Sequence, residues 1–497
     1  MIIRSVATAT WNWSGDCLAL GLFQDDVESA KQASEKEGEC QGAWRALITE
    51  SEFTGRLGSV ASARIVASGR LRTVAAVGLG RRENVRLDDL RRAGAAIARI
   101  AKQEKPRTLG VCIPEWRGEP GSGIQATVEG LELAMHEGLW LILSHRFNST
   151  SDQEAPYCGP ELVDLLNRND VDSAIVRGRR LAEGFILSRE LVAAPANVIT
   201  PAELAETAGT IAREYDLKID VLEIEDCRRL GMGAFLAVAG GSSSPAKFIH
   251  LHYESARPPR RRLAMIGQGL TFERDGLIKG VRPSVEEMKK HMAGAGSVLG
   301  AAKVIAQLKP DVDVHFIISA SENSAGERSL RPGDLVTAMN GETIEVNSVD
   351  AEGRLLLADA ILFANKLSVD AIVDVATISS ACVVALGEEL AGIWASDEGI
   401  AREVLRAGEL AGERLWRMPL VDEYSDSLRA PFANMRSSGP AEGAAITAAL
   451  FLRHFVGRTP WAHIDITGPA WSSRVNGYYN AGATGWGVGT LVNWAES

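Results

Sequence analysis

The sequence predicts an α/β protein with two domains, a smaller amino-terminal one and a larger carboxyl-terminal one. The chain has 497 residues, which exceeds the roughly 250–300 residues that a single hydrophobic core organises. Short apolar runs alternate with longer segments of helical periodicity, a pattern typical of α/β folds. A polar stretch at residues 148–156 contains few apolar side chains, and such composition indicates a connection between domains.

The amino-terminal domain is predicted to cover residues 1–150, followed by a linker at 151–170. Residues 18–23 and 73–78 are apolar runs bounded by glycine or charge, as buried strands are. Residues 87–100 carry apolar side chains at helical spacing, with arginine and aspartate on the opposite face. These segments predict a doubly wound β/α series.

The carboxyl-terminal domain is predicted over residues 171–497 and begins with a long helix at 171–192. Pro195 ends this helix, because proline disfavours helical geometry at the residue before it. Apolar runs predict strands at residues 263–266, 314–319, 371–375 and 461–466, and amphipathic periodicity predicts helices at 285–305 and 355–367.

Composition excludes several classes of function. The net charge of −11 and the pI near 5.4 argue against binding to nucleic acid or an anionic membrane surface. No stretch reaches the roughly 18 apolar residues of a membrane span. The six cysteines are widely spaced without a CxxC pair, which suits free thiols in a reducing compartment. The amino terminus resembles neither a signal nor a transit peptide, so we expect a cytoplasmic protein.

Three charged residues at alternate positions form the most informative motif. Asp350, Glu352 and Arg354 lie between a strand-like run and a helix-like run. In an extended connection they would project to one side, at the carboxyl end of a strand where open α/β sheets bind ligands. Carboxylates suit manganese, magnesium or zinc, and arginine can hold a carboxylate or bicarbonate. Spacing alone leaves open that the two carboxylates only complement the start of the helix.

The motif Asp350-Ala-Glu-Gly-Arg-Leu355, followed by Ala358-Asp-Ala360, resembles the signature of the leucyl (cytosol) aminopeptidase family. Further segments that resemble the family occur in the expected order: Ala194-Pro-Ala-Asn-Val-Ile-Thr-Pro201, Gly267-Gln-Gly-Leu-Thr-Phe272, Arg331-Pro-Gly-Asp334, Trp416-Arg-Met-Pro419, Ile446-Thr-Ala-Ala449 and Ala481-Gly-Ala-Thr-Gly485. The resemblance covers residues 185–497, and is closest to the cyanobacterial branch. It implies a macro-like amino-terminal domain and a peptidase-type domain whose mixed central sheet carries the metallopeptidase site.

The resemblance implies a two-metal exopeptidase that releases amino-terminal residues from peptides with a free amino terminus. Asp350 and Glu352 match the family's metal-binding aspartate and glutamate, and Arg354 matches its bicarbonate-holding arginine. The cofactors would be manganese or zinc, up to two per chain, with a metal-bridging water as nucleophile and the bicarbonate as general base. Family members resemble one another in forming hexamers, so a homo-hexamer or co-assembly with a paralogue is expected.

Other positions depart from the family pattern. Gln268 replaces a metal-binding lysine, and its neutral amide is a weaker donor. Glu273 replaces an aspartate and keeps a carboxylate on a longer arm. Arg274 then puts a cation beside the metal position, which opposes metal binding, although Asp275 could compensate. His291 replaces another aspartate, and could bind zinc or manganese or be an ordinary surface or core histidine.

The family's catalytic lysine maps to Lys279, after an interval one residue shorter than in relatives; otherwise Lys279 is an exposed loop lysine. These departures concentrate where the metals should lie. We therefore expect peptidase activity to be lost or strongly reduced. Two alternatives remain open: an active metalloaminopeptidase with a rebuilt site, and a non-catalytic hexameric structural or regulatory subunit.

Overall fold

The computed structural model describes residues 1–32, 38–136, 157–273, 287–324, 326 and 328–497. They form two compact units. The first consists of Met1–Ala182 together with Arg474–Asn480, and the second of Glu183–Ser473 together with Ala481–Ser497. The two α/β units confirm the predicted fold class. Within the described residues, no helix is both long and apolar enough to cross a membrane.

The first unit is built on a six-stranded sheet of order β1-β6-β5-β2-β4-β3. Only β3 in this sheet is antiparallel to its neighbour. Its strands are β1 (Ile2–Val6), β2 (Cys17–Leu22), β3 (Val60–Ala67), β4 (Arg70–Gly78), β5 (Thr108–Cys112) and β6 (Leu162–Leu166). Its helices include α1 (Val27–Lys31), α2 (Glu39–Glu50), α3 (Leu87–Glu104) and α4 (Ser122–Met135).

Strand β6 lies in the segment that was predicted to be a linker, so the linker prediction of 151–170 is wrong for residues 162–166. These residues pair in parallel with both β1 and β5. The strand was missed because a charged residue, Asp164, interrupts its apolar run. Asp164 is buried and accepts hydrogen bonds from Arg4 Nε at 2.7 Å and Trp13 Nε1 at 2.9 Å, which compensates its burial.

The second unit contains an eight-stranded mixed sheet of order β15-β14-β17-β13-β9-β10-β8-β7. Its four central strands, β17, β13, β9 and β10, run parallel. The strands of this sheet are β7 (Lys218–Leu222), β8 (Lys247–Tyr253), β9 (Arg262–Glu273), β10 (Asp313–Asn323), β13 (Ala371–Ala376), β14 (Ala391–Ala395), β15 (Leu415–Arg417) and β17 (Trp461–Asp465).

Two small sheets and a series of helices complete the second unit. The small sheets contain β11 (Leu335–Thr337), β12 (Thr343–Glu345), β16 (Met435–Arg436), β18 (Trp471–Ser472) and β19 (Gly482–Ala483). The helices include α5 (Asp172–Ala193, whose first turns belong to the first unit), α6 (Pro201–Tyr215), α7 (Ile224–Leu230), α8 (Gly233–Ala239), α9 (Ala293–Leu308), α10 (Glu352–Asn365), α11 (Ser380–Leu386), α12 (Glu398–Ala411), α13 (Ala444–Val456) and α14 (Val488–Glu496).

Helices α9 and α10 position the site, and both begin elsewhere than predicted. Helix α9 starts at Ala293 rather than at residue 285, and a 3₁₀ helix, Glu287–Met292, precedes it. Helix α10 starts at Glu352 rather than at Leu355. The connection before α10 is a 3₁₀ turn, Val349–Ala351. The prediction of an extended connection through Asp350 and Glu352 is therefore wrong, because the polypeptide is already helical there.

Close backbone packing brings α9 against the central strands. A side chain at Gly294 would place its Cβ atom 2.1 Å from the Val375 carbonyl oxygen and 2.8 Å from the Gln268 backbone nitrogen. Real Cβ atoms do not approach other heavy atoms this closely, so this position requires glycine. The Ala-Gly pair at 293–294 therefore allows the helix to begin directly beside β9 and β13.

Candidate functional site

A cavity of about 860 Å³ lies at the carboxyl edge of the central parallel strands. Open α/β sheets bind their ligands at this edge. Six of the residues singled out from the sequence line this cavity: Gln268, Glu273, His291, Asp350, Glu352 and Arg354. Serine and threonine side chains from the loops after β13, β16 and β17 line it as well. The structure thus brings the six residues together from positions 268 to 354 of the chain.

Gln268 lies in β9 and its side chain is engaged by the protein. The residue is 1% exposed, and its carbonyl oxygen accepts hydrogen bonds from the Thr377 backbone N–H at 2.8 Å and the Thr377 hydroxyl at 3.3 Å. A backbone N–H can only donate, so the oxygen of the amide must face it. The amide nitrogen lies on the other side, 2.5 Å from where a Cβ atom at Gly353 would be.

Glu273 and His291 contact each other at one end of the cavity. His291 Nε2 lies 2.9 Å from Glu273 Oε2, and their side chains are 24% and 12% exposed. Glu273 ends β9, and His291 stands in the 3₁₀ helix before α9. This contact joins the carboxyl end of β9 to the 3₁₀ helix before α9.

Asp350 and Glu352 reach the cavity from the start of α10. Glu352 is 3% exposed and is the first residue of that helix, where a negative charge complements the helix dipole. The N-cap position is Ala351, which has no side-chain oxygen, so neither carboxylate occupies it. Both interpretations from the sequence therefore apply to Glu352: its charge complements the start of the helix, and its side chain lines the cavity.

Arg354 is a buried cation beside these carboxylates. It is 7% exposed, and its Nη1 donates to the Ser437 carbonyl oxygen at 3.0 Å. Burial lowers the pKa of Arg354 to about 10, and the negative charges of Glu352 and Asp465 oppose that effect. Arg354 therefore stays charged at neutral pH. A buried guanidinium that faces a cavity is suited to an oxyanion.

Several site predictions concern residues outside those that the structure describes, namely Lys279, Arg274 and Asp275. Conversely, sequence reasoning did not identify Thr377, Ser437 and Asp465 as partners of the site. Ser437 acts through its backbone carbonyl oxygen and Thr377 chiefly through its backbone N–H, and backbone atoms leave no signal in the sequence. Asp465 could have been noticed from the sequence, because it is a carboxylate at the end of the predicted buried strand at residues 461–466.

The donors present fit a pair of metal ions poorly. Gln268 presents its amide nitrogen, rather than its oxygen, to the side of Gly353, and an amide nitrogen has no free lone pair for a metal. Among the described residues, no group of three or more His, Cys, Asp and Glu side chains is arranged to hold a metal ion.

Fold and site together define the class: a two-domain α/β protein with a polar cavity at the carboxyl edge of a mixed sheet. Residues 186–492 match the model of the cytosol aminopeptidase family, catalytic domain, and residues 19–139 match that of the family's N-terminal domain. The chain belongs to the cytosol aminopeptidase family.

Relatives match this chain along nearly all its length. A probable cytosol aminopeptidase from Cyanothece sp. is 51% identical over 99% of both chains, and one from Acaryochloris marina is 47% identical over 99% of both. Among solved structures, a mutant of tomato leucine aminopeptidase has a TM-score of 0.86 and 36% identity, covering 99% of this chain and 96% of its own. The bottromycin maturation enzyme BotP, in complex with Mn, has a TM-score of 0.83 and 28% identity, with 97% and 99% covered.

Proposed function

We propose that this family member has lost, or strongly reduced, the hydrolysis of peptides, and that it keeps the cavity as an anion-binding site in a larger assembly. The observation that carries the proposal is the hydrogen bond of Gln268. Its carbonyl oxygen is the only atom of that side chain able to bind a metal, and Thr377 already occupies it. To recruit that oxygen, a metal would have to displace one of these two Thr377 donors; displacing the buried backbone N–H would cost about 1–3 kcal/mol.

The charge of the candidate metal site also supports a loss of peptidase activity. The departures from the family pattern exchange a carboxylate for a histidine at position 291 and add Arg274 next to Glu273. The exchange at position 291 makes the site less negative, and a divalent cation is correspondingly less attracted.

The anion-binding part of the proposal rests on Arg354. It is buried, it lines the cavity and it stays charged. In the family that this chain resembles, the matching arginine holds bicarbonate, and this chain keeps the arginine. We therefore assign bicarbonate, or another small oxyanion of similar shape, to Arg354.

A second candidate function is an active peptidase with a rebuilt metal site. The contact of 2.9 Å between His291 Nε2 and Glu273 Oε2 favours it. Two ligands of one zinc ion, each about 2.0–2.2 Å from the metal, lie roughly 3 Å apart. In this alternative, His291, Glu273, Asp350 and Glu352 would hold manganese or zinc, and Lys279 would polarise the substrate carbonyl.

The experiment that separates the two candidates combines metal analysis with a turnover assay. The purified chain is analysed for metals before and after incubation with Mn²⁺ and Zn²⁺, and its turnover of Leu-p-nitroanilide is measured under the same conditions. If the proposal is right, we expect less than one firmly held metal per chain and a turnover far below that of active relatives. About two metals per chain with substantial turnover, abolished in His291→Ala, would establish the rebuilt site instead.

The assembly part of the proposal is that the chain forms a hexamer, alone or with an active paralogue, in the cytoplasm. It is supported by the near-complete coverage of relatives that are called cytosol aminopeptidases and by the hexamers that the family resemblance implies. Contacts between subunits need only the scaffold, which is retained when metal ligands are replaced.

A further inference from the structure

Lys290 brings a second cation to the cavity at the carboxyl edge of the central strands. It lies in the 3₁₀ helix before α9, in which successive side chains point about 120° apart. The ammonium group of its neighbour Lys289 donates to the Ala193 carbonyl oxygen at 3.2 Å, and the next residue, His291, contacts Glu273. Of the two lysines in this helix, it is Lys290 that lines the cavity.

The ammonium group of Lys290 has no hydrogen-bond or ion-pair partner within the part of the chain that the structure describes. The residue is half-buried. The carboxylates of Glu273, Asp350 and Glu352 line the same cavity, but none of their oxygens lies within 4.0 Å of Lys290 Nζ. Opposite charges therefore share one cavity without contacting each other, and a ligand that fits between them would contact both.

The formal charges of the cavity favour a ligand that carries both signs. With histidine counted as neutral, Glu273, Asp350 and Glu352 contribute three negative charges, and Lys290 and Arg354 contribute two positive charges. An ammonium group of a ligand suits the carboxylates, because each carboxylate has about four acceptor sites and can accept beside its existing contacts. A carboxylate group of the same ligand suits Lys290, which can only donate.

We propose that the cavity binds a free α-amino acid, whose carboxylate contacts Lys290 and whose ammonium group contacts the acidic side chains. Lys290 adjoins His291, which contacts Glu273, so a cation and a carboxylate belong to one end of the cavity. The two charged groups of an α-amino acid are attached to one carbon atom, which suits opposite charges on neighbouring positions. Lys290 is then a specificity-determining residue that selects against ligands in which the carboxylate is converted to an amide.

This inference deepens the proposed function, because it names a ligand of the same cavity. It rests on that proposal in one respect, namely that metal ions do not occupy the carboxylates. An ammonium group that contacts the carboxylates directly needs no metal, so the amino acid should bind in the presence of a chelator.

Three probes that differ by one charged group test the inference. They are L-leucine, L-leucinamide, which lacks the carboxylate, and 4-methylpentanoate, which lacks the ammonium group. Leucine is chosen because Ile378, Ala381 and Val384 add apolar side chains to the cavity lining. Thermal unfolding is followed at increasing probe concentration with EDTA present. We expect leucine to bind about tenfold more tightly than either of the other probes, since each of them lacks one charge-assisted contact.

Lys290→Met should remove the preference for leucine over leucinamide. The cavity then has one positive charge fewer, so the cationic leucinamide should bind at least as tightly as leucine. Lys290→Arg keeps the cation and should keep the preference. Lys289→Met is the matched control, because it makes the same change in the same 3₁₀ helix at an ammonium group that contacts Ala193, and neither of these residues lines the cavity. It should keep the preference as well.

An undiminished preference for leucine in Lys290→Met would overturn the inference, as would an equal loss of preference in Lys289→Met. No stabilisation of the unaltered chain by leucine, equal binding of leucine and leucinamide, or stabilisation that requires Mn²⁺ or Zn²⁺ in place of EDTA would also overturn it. Leucine has no peptide bond, so these results do not depend on peptidase activity. Turnover of Leu-p-nitroanilide would contradict only the proposed loss of activity.

Discussion

Gln268 shows how the orientation of one side chain decides which of its atoms face a cavity. Its amide oxygen accepts a hydrogen bond from the Thr377 backbone N–H. Gly353 provides the room that the amide nitrogen occupies. The sequence could predict that the donor is weaker. It could not predict the direction of the amide, which depends on a backbone N–H more than 100 positions away.

Replacing His291 by aspartate should create a metal site. In His291→Asp, two carboxylates would face each other where the imidazole and Glu273 now lie 2.9 Å apart. Without metal they repel, so we expect a lower melting temperature; with Mn²⁺ we expect that loss to be recovered and Mn²⁺ affinity to rise about tenfold or more. Calorimetric titration and thermal unfolding measure both effects.

His291→Asn is the control for this experiment, since it removes the imidazole without adding charge. Equal Mn²⁺ affinity in His291→Asp and His291→Asn would show that position 291 does not face a metal position at all.

At the scale of elements, apolar runs predicted the central strands well because those strands are buried on both faces. Residues 371–375 are confirmed as β13 and residues 461–466 largely as β17. The starts of α9 and α10 were missed because 3₁₀ turns, which have no distinct apolar period, precede both helices. Six predicted site residues still line one cavity, since the family resemblance pointed to them whatever the local backbone geometry.

Helix α14 depends on a buried carboxylate from outside the helix. Glu413 is 1% exposed and accepts hydrogen bonds from the backbone N–H groups of Gly487, at 2.6 Å, and Thr490, at 2.7 Å. Glu413→Gln replaces one charged oxygen by an amide nitrogen, so we expect the free energy of unfolding to fall by about 1.5–3 kcal/mol. Urea denaturation measures the change.

The control variant for Glu413→Gln is Asp397→Asn, which makes the same kind of change at the start of α12. Asp397 accepts from the backbone N–H groups of Gly399 and Ile400 but is exposed, and asparagine is itself a good N-cap residue. We expect a loss below about 0.5 kcal/mol there. Similar losses in the two variants would contradict the assignment of a buried helix anchor to Glu413.

The histidines of β8 and β10 should make the stability of the sheet depend on pH. His250 Nε2 lies 2.9 Å from His315 Nδ1, and burial lowers the pKa of His250 to about 4 and that of His315 to about 3. Both rings stay neutral in the folded state, whereas the unfolded chain binds protons below the ordinary value of 6.5. The contribution of these two rings to the free energy of unfolding is therefore fully present above pH 6.5, and it decreases as the pH falls toward 4.

Removing one of these imidazole rings should make the free energy of unfolding depend less steeply on pH. In His315→Asn, the slope of unfolding free energy against pH between 4.5 and 6 should be shallower by up to about 1.4 kcal/mol per pH unit, the contribution of one proton. Urea denaturation at several pH values measures the slopes, and parallel slopes for the variant and the unaltered chain would refute the assignment.

At the scale of the whole molecule, hexamer formation can be tested separately from metal binding and peptidase activity. Sedimentation should show a particle of six 53.2-kDa chains, in the presence and absence of Mn²⁺, because the proposed hexamer relies on the scaffold and not on metal. A monomer under both conditions would contradict the assembly proposal. A hexamer that forms only with Mn²⁺ would instead favour the rebuilt metal site.

The first compact unit includes Arg474–Asn480, a segment that the chain supplies after nearly the whole second unit has been synthesised. Tyr478 of this segment is 2% exposed, and its pKa is raised by burial while the charge of Arg91 in α3 opposes that rise. A gene fragment that stops at Ala182 would omit this buried tyrosine. The amino-terminal unit is therefore not a detachable module: recombination that exchanged it between relatives would also have to exchange residues 474–480.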